Sequence, residues 1–99
     1  MIKSSNATRV LIVDDSAFMR KVLHDILDSD PEIKVVGVAK NGKEALDVAE
    51  LVKPDVITLD VEMPEMNGLD CLKRLLKQGS YKVIMVSAVT TRGAKSTIE

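Results

Sequence analysis

Residues 9–27 read RVLIVDDSAFMRKVLHDIL, and the two halves of this stretch follow different periods. Val10, Leu11, Ile12 and Val13 are apolar at consecutive positions. Continuous apolarity marks a strand covered on both faces, as in a parallel sheet, and the expected strand is Arg9–Asp14. From Ser16 to about Leu27 the apolar residues are Phe18, Met19, Val22, Leu23, Ile26 and Leu27. Their i, i+1, i+4, i+5, i+8, i+9 spacing makes one apolar face of a helix. Arg20, Lys21, His24, Asp25 and Asp28 fall on the opposite face. Asp15 and Ser16 are both suited to capping its N-terminus.

The same alternation repeats downstream. Asp30-Pro31 breaks the chain, and Ile33–Ala39 reads as a second strand with Gly37 inside it. Asn41-Gly42 makes a turn into a second helix, Lys43–Val52, with Ala45, Leu46, Ala49 and Val52 inward and Pro54 ending it. Asp55–Leu59 is a third strand, followed by a loop, Asp60–Gly68, and a third helix, Leu69–Lys77, which Gly79 terminates. Lys82–Val86 is a fourth strand, and Thr90–Glu99 begins a fourth helix. Residues 1–8 are polar and read as a flexible lead-in to one domain at 9–99. Four strand–helix alternations imply an α/β fold with a parallel sheet and right-handed crossovers. Periodicity leaves two architectures open, a doubly wound open sheet and half of a (β/α)₈ barrel.

Composition narrows the function classes. The 99 residues suffice for one core, and 45% hydrophobic with 29% charged residues is ordinary for a globular domain. Formal net charge is −1, and Phe18 and Tyr81 are the only aromatics. Neither a basic field nor a stacking platform points to nucleic acid. No apolar run approaches the ~20 residues of a membrane span. The single cysteine, Cys71, has no partner for an internal disulfide, and the expected setting is reducing and cytoplasmic.

In a parallel α/β sheet, ligands bind beyond the carboxyl ends of the strands. The first strand ends in Asp14-Asp15, the third in Asp60 and the fourth in Ser87-Ala88. Three carboxylates and a hydroxyl therefore converge on one rim. Two like charges ~4 Å apart repel by about 4 kcal/mol at an effective dielectric near 20, and no cation ends these strands. A divalent metal is the simplest remedy, and hard oxygen ligands suit Mg²⁺. A carboxylate beside Mg²⁺ is competent to attack a phosphoryl group, with Ser87 placed to donate to one of its oxygens. Taken singly, Asp15 reads as a helix cap and Asp60 as a turn former; their joint placement favours the site. The chain has no G-x-G-x-x-G after the first strand and no G-x-x-x-x-G-K-[ST]. His24 reads as a solvated residue and Cys71 as packing. Met63 and Met66, flanking Pro64, are expected to pack the loop down.

At these residues the chain resembles the receiver domain of bacterial response regulators. The matching pieces are V-D-D-S at 13–16, D-V-E-M-P-E-M-N-G at 60–68 and V-S-A at 86–88. A finer resemblance, to the receiver of chemotaxis protein-glutamate methylesterases, rests on D-D-S-A-F-M-R-K at 14–21, L-D-V-E-M-P at 59–64 and the ending S-A-V-T-T-R-G-A-K-S-T-I-E. The resemblance implies a flavodoxin-like doubly wound sheet of strand order 2-1-3-4. It implies that Asp60 accepts a phosphoryl group from a sensor histidine kinase of a two-component system. It further implies that Asp15, Asp60 and the backbone carbonyl of Glu62 bind Mg²⁺, with Asp14 acting through water. Ser87 would contact the phosphoryl group, and Ala88 would leave room for it. The receiver would regulate an attached methylesterase domain and would not itself be a turnover enzyme.

Receivers of this family continue into a fifth strand, which carries an aromatic switch residue and ends in a lysine, and then a fifth helix. This sequence ends at Glu99 in the fourth helix, and Lys82 and Lys95 do not stand in for that lysine. The expectations are an incomplete receiver that binds Mg²⁺ yet responds poorly to phosphorylation. The fourth strand would be an open edge, available to edge pairing or a swapped dimer, or to a fused segment that completes the sheet. Two other readings stand beside this one: a structural or chimera-building fragment without a working switch, and a haloacid-dehalogenase-type phosphatase. The second lacks its D-x-D-x-T/V pattern, because Glu62 and Pro64 follow Asp60.

Overall fold

A computed structural model describes residues 7–63 and 66–86. Ser87, Ala88 and the expected helix at 90–99 lie outside the described residues. Seven elements alternate: β1 (Thr8–Val13), α1 (Ala17–Asp28), β2 (Ile33–Ala39), α2 (Gly42–Val52), β3 (Val56–Asp60), α3 (Gly68–Gln78) and β4 (Lys82–Val86). β2 and β4 have the bounds expected from their apolar runs; β1 begins one residue early, at Thr8.

The strands form one parallel sheet of order β2-β1-β3-β4. The order reverses at β1, which pairs with β2 on one side and β3 on the other. Half of a barrel would keep the strands in chain order, so the open doubly wound sheet is the architecture. Right-handed crossovers then place α1 on one face and α2 and α3 on the other. Accordingly α1 packs on β1 and β2, while α2 and α3 pack on each other and on the opposite face.

β1 is the centre of the molecule, and Val10, Leu11, Ile12 and Val13 are all buried. Leu11 and Val13 face α2 and α3 in a core with Ala45, Ala49, Ile57, Leu59, Cys71 and Leu75. Gly37 keeps β2 close to α2; a Cβ there would stand 3.0 Å from Val48 Cγ1. Leu75 is fully buried. Leu75→Ala is expected to cost about 2–5 kcal/mol through lost transfer energy and the cavity left behind. Urea unfolding checks this: the midpoint falls while the slope stays that of the parent.

The apolar stripe of α1 is only partly covered. Phe18 is 74% exposed and Ile26 60% exposed, although both belong to the stripe expected to face inward. The reason is geometric. Among the described elements α1 lies mainly over β1 and β2, a contact narrower than a stripe built from adjacent pairs. On the same sheet face, Ile84 of β4 is also exposed, and the buried Thr58 hydroxyl has no hydrogen-bond partner among the described residues. β4 is one of the two sheet edges among the described strands, β2 the other. Among the described residues, no helix is long and apolar enough to cross a membrane.

Candidate functional site

The chain leaves β1 at Asp14, at the carboxyl end of the sheet. The Asp14 amide donates to the carbonyl of Ala39 at the end of β2 (3.0 Å), so the turn is pinned to the sheet. The Asp14 carboxylate accepts from the Ser16 amide at 2.9 Å. Ser16, rather than Asp15, caps α1: its Oγ accepts from the Met19 amide at 3.2 Å. That choice leaves the exposed Asp15 carboxylate out of the cap.

Asp60 is the last residue of β3, opposite Val86 of β4. Its carboxylate accepts from the Glu62 amide at 3.2 Å. The loop beyond it is fastened at several points. Val61 donates to the Val86 carbonyl (3.1 Å), and Gly68 donates to the Val61 carbonyl (2.8 Å). Met63 is buried in the core, and Met66 packs on Gly42, where a Cβ would lie 2.8 Å from its sulfur. Asn67 caps α3 by accepting from the Asp70 amide at 2.9 Å.

These elements bring Asp14, Asp15 and Asp60 together, with one carboxylate oxygen from each within 4.8 Å of the others. Asp14 and Asp60 are 3% and 5% exposed, so two of the three anions are shielded from bulk water. The ion pairs among the described residues, Lys21–Asp25 and Lys53–Glu50, involve none of them. The cost shows on Asp60, whose carboxyl is pushed from 3.8 up to about 6. Burial is the largest cause and the Asp14 charge the next; Asp15 adds to the rise and the Glu62 amide opposes it. A compact set of hard oxygens under mutual repulsion, with no cationic side chain paired to it among the described residues, fits a small divalent cation.

A family model of the response regulator receiver domain matches residues 10–98. The chain is a response regulator receiver domain. Among solved structures, the response regulator domain of Thermotoga maritima CheB is 58% identical, with a TM-score of 0.81, covering 93% of this chain and 69% of that one. The CheX–CheY–BeF3–Mg complex from Borrelia burgdorferi matches at 34% identity and a TM-score of 0.79, covering 89% and 67%. The protein-glutamate methylesterase/protein-glutamine glutaminase of Pyrococcus abyssi is 58% identical over 91 residues, which is 92% of this chain and 25% of that protein. That of Bacillus subtilis is 57% identical over 90 residues, again 25% of its length. The receiver thus spans about a quarter of the curated relatives it matches, and it is of the CheB chemotaxis type.

In this receiver the three predicted carboxylates meet, and Glu62, expected to act through its backbone carbonyl, places its amide on the Asp60 carboxylate. Ser87 and Ala88 fall just past β4, outside the described residues. Lys82 opens β4 beside Asp55, at the end of the sheet away from the acidic cluster, as its position in the strand predicts. Cys71 is fully buried, and burial raises its thiol above the usual range against the opposing charge of Arg74, so it serves as packing. Arg20 departs from expectation: assigned to the solvated face of α1, it reaches back to donate from Nη1 to the Asp14 carbonyl at 2.7 Å. A cation one helical turn past an acidic pair is the only trace of this in the sequence, and many solvated arginines share it.

Proposed function

We propose that this receiver accepts a phosphoryl group on Asp60 from a sensor histidine kinase, and thereby regulates a methylesterase domain in a longer cytoplasmic chemotaxis protein. The observation that carries the proposal is the convergence of Asp14, Asp15 and Asp60, within 4.8 Å, at the carboxyl ends of β1 and β3. In the proposed reaction an Asp60 carboxylate oxygen forms a bond to phosphorus as the bond from phosphorus to the donor's imidazole nitrogen breaks. With its carboxyl at about 6, Asp60 is mostly ionised at neutral pH and needs no separate base. The Glu62 amide holds the carboxylate in place. Asp15, Asp60 and the Glu62 backbone carbonyl would hold Mg²⁺, with Asp14 linked through water. Mg²⁺, when bound, supplies positive charge against the phosphoryl oxygens. Ser87 would donate to one phosphoryl oxygen, and Ala88 would leave it space. The Mg²⁺ and the beryllium fluoride of the Borrelia CheY complex support this reading by likeness, and the relatives' methylesterase names support the output.

The test is incubation with acetyl phosphate and Mg²⁺ followed by intact-mass and peptide analysis. The expected result is a fraction of the chain, short of full conversion, carrying the mass of one phosphoryl group on the peptide containing Asp60, absent when EDTA replaces Mg²⁺. A label on another residue, or a label indifferent to EDTA, would contradict the assignment.

A further inference from the structure

Arg20 makes a contact that its helical position does not call for. It lies on α1 one turn beyond the Ser16 cap, where its own amide donates to the Ser16 carbonyl at 3.0 Å. Its side chain folds back over that turn and gives a 2.7 Å hydrogen bond to the backbone oxygen of Asp14. Asp14 is already held at its amide by Ala39 (3.0 Å) and at its carboxylate by Ser16 (2.9 Å). The guanidinium therefore restrains the remaining polar group of the residue.

That oxygen belongs to the peptide joining Asp14 to Asp15. Because the peptide unit is planar, fixing the direction of its carbonyl fixes the plane from which Asp15 departs. Asp15 is exposed, so packing does little to aim its carboxylate. Among the described residues, Arg20 is the cationic side chain that hydrogen-bonds to a member of the acidic cluster, and it does so at a neutral carbonyl. An arginine paired with one of the carboxylates would compete with a bound cation. An arginine on the carbonyl braces the turn and leaves all three carboxylates available.

We infer that Arg20 is a positioning residue, which clamps the Asp14–Asp15 peptide so that Asp15 is aimed at the cation position it shares with Asp60. The inference rests on the Mg²⁺ site of the proposed function. Two effects of the arginine oppose each other. Its positive charge repels a nearby cation, and its hydrogen bond preorganises the ligand. Partners that orient metal ligands are commonly worth 10–100-fold in affinity, and this guanidinium gives its hydrogen bond to a neutral carbonyl from a half-buried position with part of its charge in solvent. Preorganisation is assigned as the larger effect.

The experiment is Mg²⁺ titration by calorimetry of the parent chain, Arg20→Ala and Arg20→Gln, with Asp15→Asn as the ligand-loss control and metal-free melting curves for each. The expected result is roughly tenfold weaker Mg²⁺ binding in Arg20→Ala. Arg20→Gln, which keeps a donor on a shorter arm and removes the charge, falls between it and the parent. Should Arg20→Ala not fold, the Gln variant carries the comparison. Variants that bind Mg²⁺ as well as the parent, with only a lower melting temperature, overturn the inference and reduce Arg20 to a structural brace. Tighter binding in either variant overturns it too, because charge repulsion would then dominate. A parent chain that takes up no Mg²⁺ overturns the proposed function itself, and this inference with it.

Discussion

Without divalent cations, Asp60→Asn raises the melting temperature by a few degrees at neutral pH, and the gain closes as the solution is acidified. Burial first, and the Asp14 charge second, lift the Asp60 carboxyl from 3.8 to about 6 in the folded state. An acid whose folded value lies above its unfolded one stabilises the fold fully below the unfolded value. That contribution is lost as pH rises through the folded value. Above about 6 the ionised Asp60 therefore opposes folding, and below about 4 it does not. Asparagine has the same shape, still accepts from the Glu62 amide and never ionises. The difference between variant and parent thus appears above about 6 and vanishes below about 4. Under the proposed Mg²⁺ site, added Mg²⁺ is expected to reverse the ranking at neutral pH, by binding the ionised cluster of the parent and stabilising it by mass action. The same substitution removes phosphoryl acceptance outright. Melting curves across pH, with EDTA and with Mg²⁺, check the stability claims. A variant that melts below the parent at neutral pH in EDTA would show that the cluster is not under the repulsion argued here.

Gly68→Ala has the second large effect, and it acts through the backbone. A Cβ at this position would lie 2.6 Å from the Asp60 carbonyl oxygen and from Val61 Cα, and 2.9 Å from the Val61 oxygen. Those atoms cannot turn aside as a side chain does. The Gly68 amide also donates to the Val61 carbonyl at 2.8 Å, so the start of α3 is drawn onto the end of β3. Overpacking costs about 1–3 kcal/mol, and a clash against main chain belongs at the upper end, near ~3 kcal/mol. The displaced atoms belong to Asp60 and its neighbour, so the proposed reaction suffers beyond the stability loss. Phosphoryl transfer from acetyl phosphate is expected to slow on the order of a hundredfold, the scale of an ångström-sized misplacement. Urea unfolding and the rate of mass gain check the two parts. Gly79→Ala is the useful contrast. A Cβ there meets the Tyr81 ring at 2.8 Å, the far end of a side chain, in extended backbone with φ −167°. A rate loss as large in Gly79→Ala as in Gly68→Ala would make the effect one of general stability.

Gly79 also illustrates how a correct boundary can rest on a different cause. It ends α3 as expected, but in extended conformation, with its amide on the Leu75 carbonyl. The left-handed C-cap instead falls at Lys53, φ 47°, just before Pro54 at the end of α2. Helix termini depend on which carbonyls find donors, which local composition narrows without deciding. Asn41 and Asn67 cap α2 and α3 through their side chains; Asn41 was read as part of a turn and Asn67 only as part of a loop, and neither as a cap partner of a particular amide.

Element types and the chemistry of the rim follow from the order of side chains alone. Four-residue apolar runs compel strands buried on two faces, and acids directly after the first and third runs must gather at one end of any parallel sheet. Asp14, Asp15 and Asp60 were therefore legible before any coordinates. Strand order did not follow from periodicity, which is blind to pairings between residues more than forty positions apart; the resemblance to receivers supplied the order 2-1-3-4, and the sheet has it. The exposed side of α1 was not legible, because coverage depends on where neighbouring elements stop. Nor were the two features that shape the site most closely, the Arg20 hydrogen bond to the Asp14 carbonyl and the approach of Gly68 to the Asp60 backbone. Both are contacts to main-chain atoms. A side-chain pattern states which groups a segment carries, but only the folded chain decides which carbonyl faces them.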